Sequence, residues 1–210
     1  MSKKSSEIIM IVAMTESGLI GRGGGLPWKC SLDMKWFQDK TTGWPLIVGK
    51  NTAAGMPVFP LRNRPCGLVW KDAGADCKLV SGQIFKSLAG AINGFGNFDK
   101  IFLAGGAELY HSALTAETPL VDTVIKTTFP DGHCDGDVYF KDMSLIGEPH
   151  FSLAEALWYS RFAESGPGFY TEKGGYNLKD GKMPGTFRDC EKNDTRFPWI
   201  CFETWKRRTK

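Results

Sequence analysis

Ile8-Ile9-Met10-Ile11-Val12-Ala13-Met14 is an unbroken apolar run rich in β-branched residues. Such a run predicts a strand buried on both faces, as parallel sheets require when helices cover each side. Residues 46–48, 67–70, 79–80 and 101–104 repeat the style as Leu-Ile-Val, Gly-Leu-Val-Trp, Leu-Val and Ile-Phe-Leu-Ala. Helical stretches fall between them. Ser81 is placed to cap a helix with Ile84, Phe85, Leu88, Ala91 and Ile92 along one stripe, and Leu109, Tyr110 and Leu114 mark another. Strands alternating with helices predict a three-layer α/β/α fold with right-handed crossovers around a mostly parallel sheet.

After Asp122 the pattern changes: residues 124–129, a segment near 158–162 and residues 199–205 read as strands with no helix between them. An antiparallel C-terminal edge therefore makes the sheet mixed. Residues 165–197 are rich in Gly, Pro, Asn, Lys and Asp, with turns expected at Gly166-Pro167-Gly168, Gly174-Gly175 and Asp180-Gly181. They read as a long loop excursion from a single domain spanning residues 1–210.

Composition narrows the function classes. A formal charge of +3 with 23% charged residues is far from the dense basic stripe of a nucleic-acid binder, while anionic small molecules stay open as ligands. No 18 apolar residues run together, and the run at 8–14 follows Glu7 with no small-residue cleavage site behind it. The expectation is a cytoplasmic monomer with no membrane partner and no signal peptide. Cysteines at 30, 66, 77, 134, 190 and 201 lack paired short spacing, and His111, His133 and His150 are scattered. Reduced structural thiols and no metal site follow from that.

Leu26-Pro27-Trp28-Lys29-Cys30-Ser31-Leu32-Asp33-Met34-Lys35-Trp36-Phe37 carries the first chemical signal. With Ser31 as helix N-cap, a 100° step puts Leu32, Asp33, Trp36 and Phe37 on one face. The Asp33 carboxylate therefore faces inward. Lys40 lies near the same meridian but about 10 Å further along the axis, too far for a direct ion pair. Asp33 either complements the helix dipole, gains a partner from another segment, or has its charged form disfavoured by apolar surroundings.

Two glycine motifs add anion chemistry. Ala104-Gly105-Gly106-Ala107 follows an expected strand and opens an expected helix, so its amides can seat a phosphate or simply make a tight turn. Gly49-Lys50-Asn51-Thr52 makes a second strand-to-helix junction, and Lys71 ends the next strand. Anion seats at neighbouring strand ends suit a dinucleotide. Gly21-Arg22-Gly23-Gly24-Gly25 lacks the dinucleotide fingerprint and reads as a mobile loop, either a lid or a surface turn. Arg64, just before an expected strand, is either a surface arginine or a bidentate grip for a carboxylate.

Taken in order, these segments, with Ile20-Gly21, Pro45-Leu46-Ile47-Val48-Gly49-Lys50-Asn51-Thr52, Gly136-Asp137-Val138-Tyr139-Phe140 and Cys201-Phe202-Glu203, resemble the dihydrofolate reductase family. The resemblance spans roughly residues 8–142 plus the last strand. It implies a dihydrofolate reductase-like fold and NADPH-dependent reduction of 7,8-dihydrofolate to tetrahydrofolate. By the same resemblance, Asp33 with Leu26 and Trp28 would be the catalytic set. Ala13, Phe37, Met56, Leu61 and Thr127 would help form the folate pocket, and Arg64 would hold the glutamate-tail carboxylate. Ala13, Ile20, Gly21, Lys50, Asn51, Thr52, Lys71, Gly105, Gly106, Ala107 and Tyr110 would line the cofactor, with Lys50 and Lys71 favouring NADPH over NADH.

The chain departs from that family's pattern in several places, among them its greater length and the poorly aligned segment between Met183 and Trp199. Ala53-Ala54-Gly55 follows Thr52 where an aromatic is common, Trp70 replaces a small hydroxyl residue, and Glu108 sits beside the phosphate turn. Two rival readings differ in class: a reductase of another heterocycle, which Asp33 argues against, and a binding protein that keeps the scaffold.

Overall fold

A computed structural model describes residues 5–74, 82–118, 120–160, 168–171, 174–176 and 197–208. The first half of the order is β1 (Glu7–Thr15), β2 (Leu19–Gly21), α1 (Ser31–Thr41), β3 (Leu46–Gly49), α2 (Lys50–Gly55), β4 (Cys66–Val69), β5 (Gln83–Phe85), α3 (Leu88–Gly94), β6 (Lys100–Leu103) and α4 (Ala107–Leu114). There follow β7 (Thr123–Phe129), β8 (Val138–Tyr139), a short 3-10 turn at Met143–Leu145, β9 (Phe151–Ser160), β10 (Gly168–Thr171), β11 (Gly174–Tyr176) and β12 (Trp199–Arg207). No helix among the described residues is long and apolar enough to cross a membrane. Residue contacts divide the chain into two compact units, Met1–Ile11 with Thr41–Thr123, and Val12–Lys40 with Val124–Lys210.

The first unit holds the parallel part, ordered β1-β6-β3-β4-β5. Glu7 to Met10 pair in register with Lys100 to Leu103, and Leu46 to Gly49 with Cys66 to Val69. Leu46, Ile47, Val48 and Leu103 are fully buried, which is why these runs read as uninterrupted apolar sequence. The expected helix from Ser81 is corrected here. Ile84 and Phe85 belong to β5, in parallel register with Leu68 and Val69, and the helix starts after Ser87, whose hydroxyl accepts from the Gly90 amide at 3.1 Å. Phe85 packs edge-on against Phe95 over Gly67, where a Cβ would lie 2.8 Å from the Phe95 ring. Leu79, Val80 and Ser81 lie outside the described residues.

The second unit holds the antiparallel part, ordered β11-β10-β9-β12-β7-β1. β12 runs antiparallel to β9 from Trp199↔Ser160 to Arg207↔Phe151, with a bulge between Thr204 and Trp205. Met14, Phe129, Phe151, Ile200 and Phe202 are its fully buried side chains. Gly168 and Gly174-Gly175 were expected as turns but are strand residues, because β10 and β11 pair as an antiparallel hairpin with Thr171 opposite Gly174. Gly166, Pro167 and Asp180-Gly181 lie outside the described residues. β2 and β8 form a separate two-stranded sheet.

Candidate functional site

In the second unit, α1 carries Asp33 with 5% of its surface exposed. Leu32 and Trp36 are buried beside it and Phe37 is half-buried, the inward face that the 100° period predicts. The cap differs from expectation. Ser31 is already helical, and Cys30 takes the capping place, its carbonyl accepting from the Met34 amide at 3.0 Å and its Sγ from the Asp33 amide at 3.5 Å. The cap thus sits one position earlier than expected.

Trp28 is buried and packs on Phe129 at 4.4 Å between ring centroids. Among the described residues, its buried indole N–H has no hydrogen-bond acceptor. A donor left in that state costs stability unless a ligand or water completes it. Thr127 is 2% exposed on β7, Ala13 is half-buried on β1, and Leu26 is exposed.

The glycine-rich segment is a two-residue hairpin turn. Arg22 and Gly25 exchange backbone hydrogen bonds at 2.9 and 3.0 Å, while Gly23 and Gly24 take positive φ of 54° and 87° at the tip. Asp137 ties it down: its carboxylate accepts from the Gly23 amide at 3.1 Å and its own amide donates to the Gly21 carbonyl at 3.0 Å. Gly136 permits that approach, since a Cβ there would lie 2.3 Å from the Gly21 oxygen. Ile20 and Gly21 sit on β2 in this arrangement. Sequence reading quoted Asp137 as part of a motif but missed its tethering role.

In the first unit, Gly49, Gly105 and Gly106 converge. The Gly49 amide donates to the Gly105 carbonyl at 2.7 Å, and a Cβ on Gly49 would lie 3.6 Å from the same oxygen. Gly105 has φ +97°, the left-handed region that favours glycine, and its missing side chain is filled by the Tyr110 hydroxyl 3.1 Å away. A Cβ on Gly106 would lie 3.0 Å from Thr52 Oγ1. Gly106 also caps α4 and, as a glycine, makes no side-chain capping hydrogen bond itself. Ala107 opens α4 and Asn51 is exposed on α2. The donor set fits an anionic, phosphate-bearing ligand, for which a glycine-walled helix start is built.

Lys50 and Lys71 are exposed at the carboxyl ends of β3 and β4, and the Lys50 ammonium lies 4.7 Å from the Trp70 ring centroid. Glu108 is exposed in the first turn of α4, where its charge complements the helix dipole. Arg64 is fixed by its neighbours: Nε donates to the Arg62 carbonyl at 3.2 Å, and the two terminal nitrogens donate to the hydroxyls of Thr41 and Thr42. Partial burial draws its pKa down, with the nearby Cys66 sulfur opposing. Arg64 and Leu61 line a cavity of about 320 Å3 with Pro60, Pro65, Gln83 and Phe95. Met56 is half-buried at the end of α2.

These features define a mixed-sheet α/β protein with a glycine-walled helix start in one unit and a buried helical carboxylate in the other. The sequence profile of the dihydrofolate reductase family matches residues 7–155, and the chain belongs to that family, whose members are oxidoreductases. It is 32% identical over 145 residues to the dihydrofolate reductase of Haemophilus influenzae, covering 64% of this chain and 79% of that one. With the dihydrofolate reductase of Neisseria meningitidis it shares 29% over 149 residues, covering 71% and 86%. Among solved structures, a dihydrofolate reductase from Enterococcus faecalis complexed with NADP(H) and RAB-propyl superposes with a TM-score of 0.69 at 19% identity, covering 98% of this chain and 99% of that one. That likeness is one of fold.

Proposed function

We propose that this protein catalyses NADPH-dependent reduction of 7,8-dihydrofolate to 5,6,7,8-tetrahydrofolate, a reading carried by one observation: the buried carboxylate of Asp33 on α1. Asp33 accepts from the pterin amino group and a ring nitrogen, holds the ring in one orientation and supports delivery of a solvent proton to N5. Burial strengthens those hydrogen bonds, because the carboxylate meets little competing water. Bound NADPH supplies the hydride that reaches pterin C6.

The remaining residues orient and enclose. Trp28 offers its N–H, which has no acceptor among the described residues, to the bound ring or to an ordered water on it, while Leu26, Ala13, Phe37, Met56, Leu61 and Thr127 supply apolar walls and a hydroxyl. Arg64, held in place by Thr41 and Thr42, presents a guanidinium to the glutamate-tail carboxylate. Gly105, Gly106 and Ala107 seat the diphosphate, with Asn51, Thr52 and Tyr110 beside them. Lys50 and Lys71 take the 2′-phosphate. The turn at Gly21 to Gly25, with Ile20, keeps water off the reacting carbon.

The test follows NADPH absorbance with dihydrofolate, then repeats it with Asp33→Asn. Turnover is expected from the native chain and a loss on the order of 100-fold or more from the variant, greatest at neutral pH where solution protons are scarce. Folded protein that binds dihydrofolate without consuming NADPH would instead establish a binding module.

A further inference from the structure

Building on that cofactor reading, we propose that Trp70 is a positioning residue that holds Lys50 where a 2′-phosphate is bound, and so sets the preference for NADP(H) over NAD(H). β3 and β4 are parallel and in register, with Gly49 opposite Val69. Lys50 and Trp70 are the next residues on each, so both leave the sheet side by side at the carboxyl ends where nucleotides bind in such folds. The Trp70 backbone is fixed on both sides, its amide donating to the Phe85 carbonyl at 2.9 Å and its carbonyl accepting from the Ala73 amide at 3.3 Å. The ring is half-buried, and the Lys50 ammonium sits 4.7 Å from its centroid.

What matters is how this lysine is held. Lys35 is paired with Asp39 and Lys126 with Glu203, each at 2.9 Å. Among the described residues, Lys50 and Lys71 have no carboxylate partner. A carboxylate would restrain Lys50 but spend its charge, whereas an aromatic face restrains it and leaves the charge available to an incoming anion. A lysine stem otherwise samples many rotamers, and ordering it before binding spares that loss when the phosphate arrives.

The experiment is calorimetric titration of the full chain with NADP+ and with NAD+, for the native protein, Trp70→Met, Trp70→Phe, Lys50→Met and the double variant Lys50→Met/Trp70→Met. Trp70→Met should lower the NADP+ to NAD+ affinity ratio on the order of fivefold while moving NAD+ affinity less than about twofold, and Trp70→Phe should keep much of the ratio. In the Lys50→Met background, Trp70→Met should leave the ratio unchanged. A ratio unaltered by Trp70→Met, or equal losses with both nucleotides, overturns the proposal and makes Trp70 at most an adenine platform. Should Trp70→Met fail to fold, the exposed Lys50→Met still decides, because a ratio insensitive to it removes the residue that Trp70 is held to position. A native protein that binds both nucleotides equally, or neither, overturns the cofactor reading itself, whereas a preference that survives Trp70→Met overturns only the role of Trp70.

Discussion

The Tyr110 hydroxyl donates to the Ile11 carbonyl at 2.7 Å, buried, across 99 residues of chain. The same phenol fills the space that a side chain on Gly105 would occupy. One residue of α4 therefore ties β1 to the backbone of the glycine cradle. Tyr110→Phe removes the donor and leaves the ring, so a stability loss of about 1–2 kcal/mol is expected. For a chain of this length that is a fall in Tm of roughly 2–8 °C, read by thermal melt. NADP+ affinity should fall as well, because the phenol packs against Gly105; a variant with unchanged affinity would separate the tie from the cradle.

Much of this was legible in the sequence, and the failures share a cause. The run at Ile8 to Met14 and the inward Asp33 could be read because burial on both faces, and on one helical face, leaves a local periodic trace. The helix expected from Ser81 went wrong because Ile84 and Phe85 fit a helical stripe as well as a strand, and their parallel partners Leu68 and Val69 lie outside the local window. Gly174-Gly175 misled in the same way, since glycines that signal a turn also fit a short hairpin strand. Asp137 is the clearest case at the site. Its tie to Gly23 spans 114 residues, and no local pattern announces it.

That tie gives a second prediction. Asp137→Ala deletes the acceptor for the Gly23 amide while leaving the exchange between Arg22 and Gly25 intact. Global stability should change by less than about 1 kcal/mol, because the lost bonds are exposed. Dihydrofolate reduction should slow on the order of tenfold if the turn shields the reacting carbon, with KM for dihydrofolate moving less than kcat. Steady-state kinetics are the measurement, and an unchanged kcat would make the turn a surface feature only.

Alkaline stability supplies a third. Burial first, and then the Glu203 carboxylate, push the Cys201 thiol up to about 12, against the opposing Lys126 ammonium. An unfolded thiol titrates near pH 8.5. Below that the thiol is protonated in both states and contributes nothing. Between about pH 9 and 12 the unfolded chain releases a proton that the folded chain keeps, so stability falls as pH rises, by at most about 1.4 kcal/mol per pH unit. Cys201→Val should flatten this decline. Denaturant midpoints at pH 8 and pH 10.5 test it, with the native chain losing more between the two than the variant does.

Trp28 offers the sharpest separation of folding from chemistry. Its ring packs on Phe129, yet its N–H has no acceptor among the described residues, so there the ring contributes packing and the donor does not. Trp28→Phe keeps an aromatic against Phe129, loses some buried area and relieves an unsatisfied donor. The two effects oppose, and the expected change in stability is within about 1 kcal/mol. Binding has no such compensation. A ligand that completes the N–H loses that bond in the variant, and dihydrofolate reduction should fall on the order of tenfold or more in kcat/KM. A thermal melt beside steady-state kinetics decides the matter: a large stability loss with unchanged kcat/KM would show that Trp28 serves the core, and that the buried N–H has no part in holding substrate.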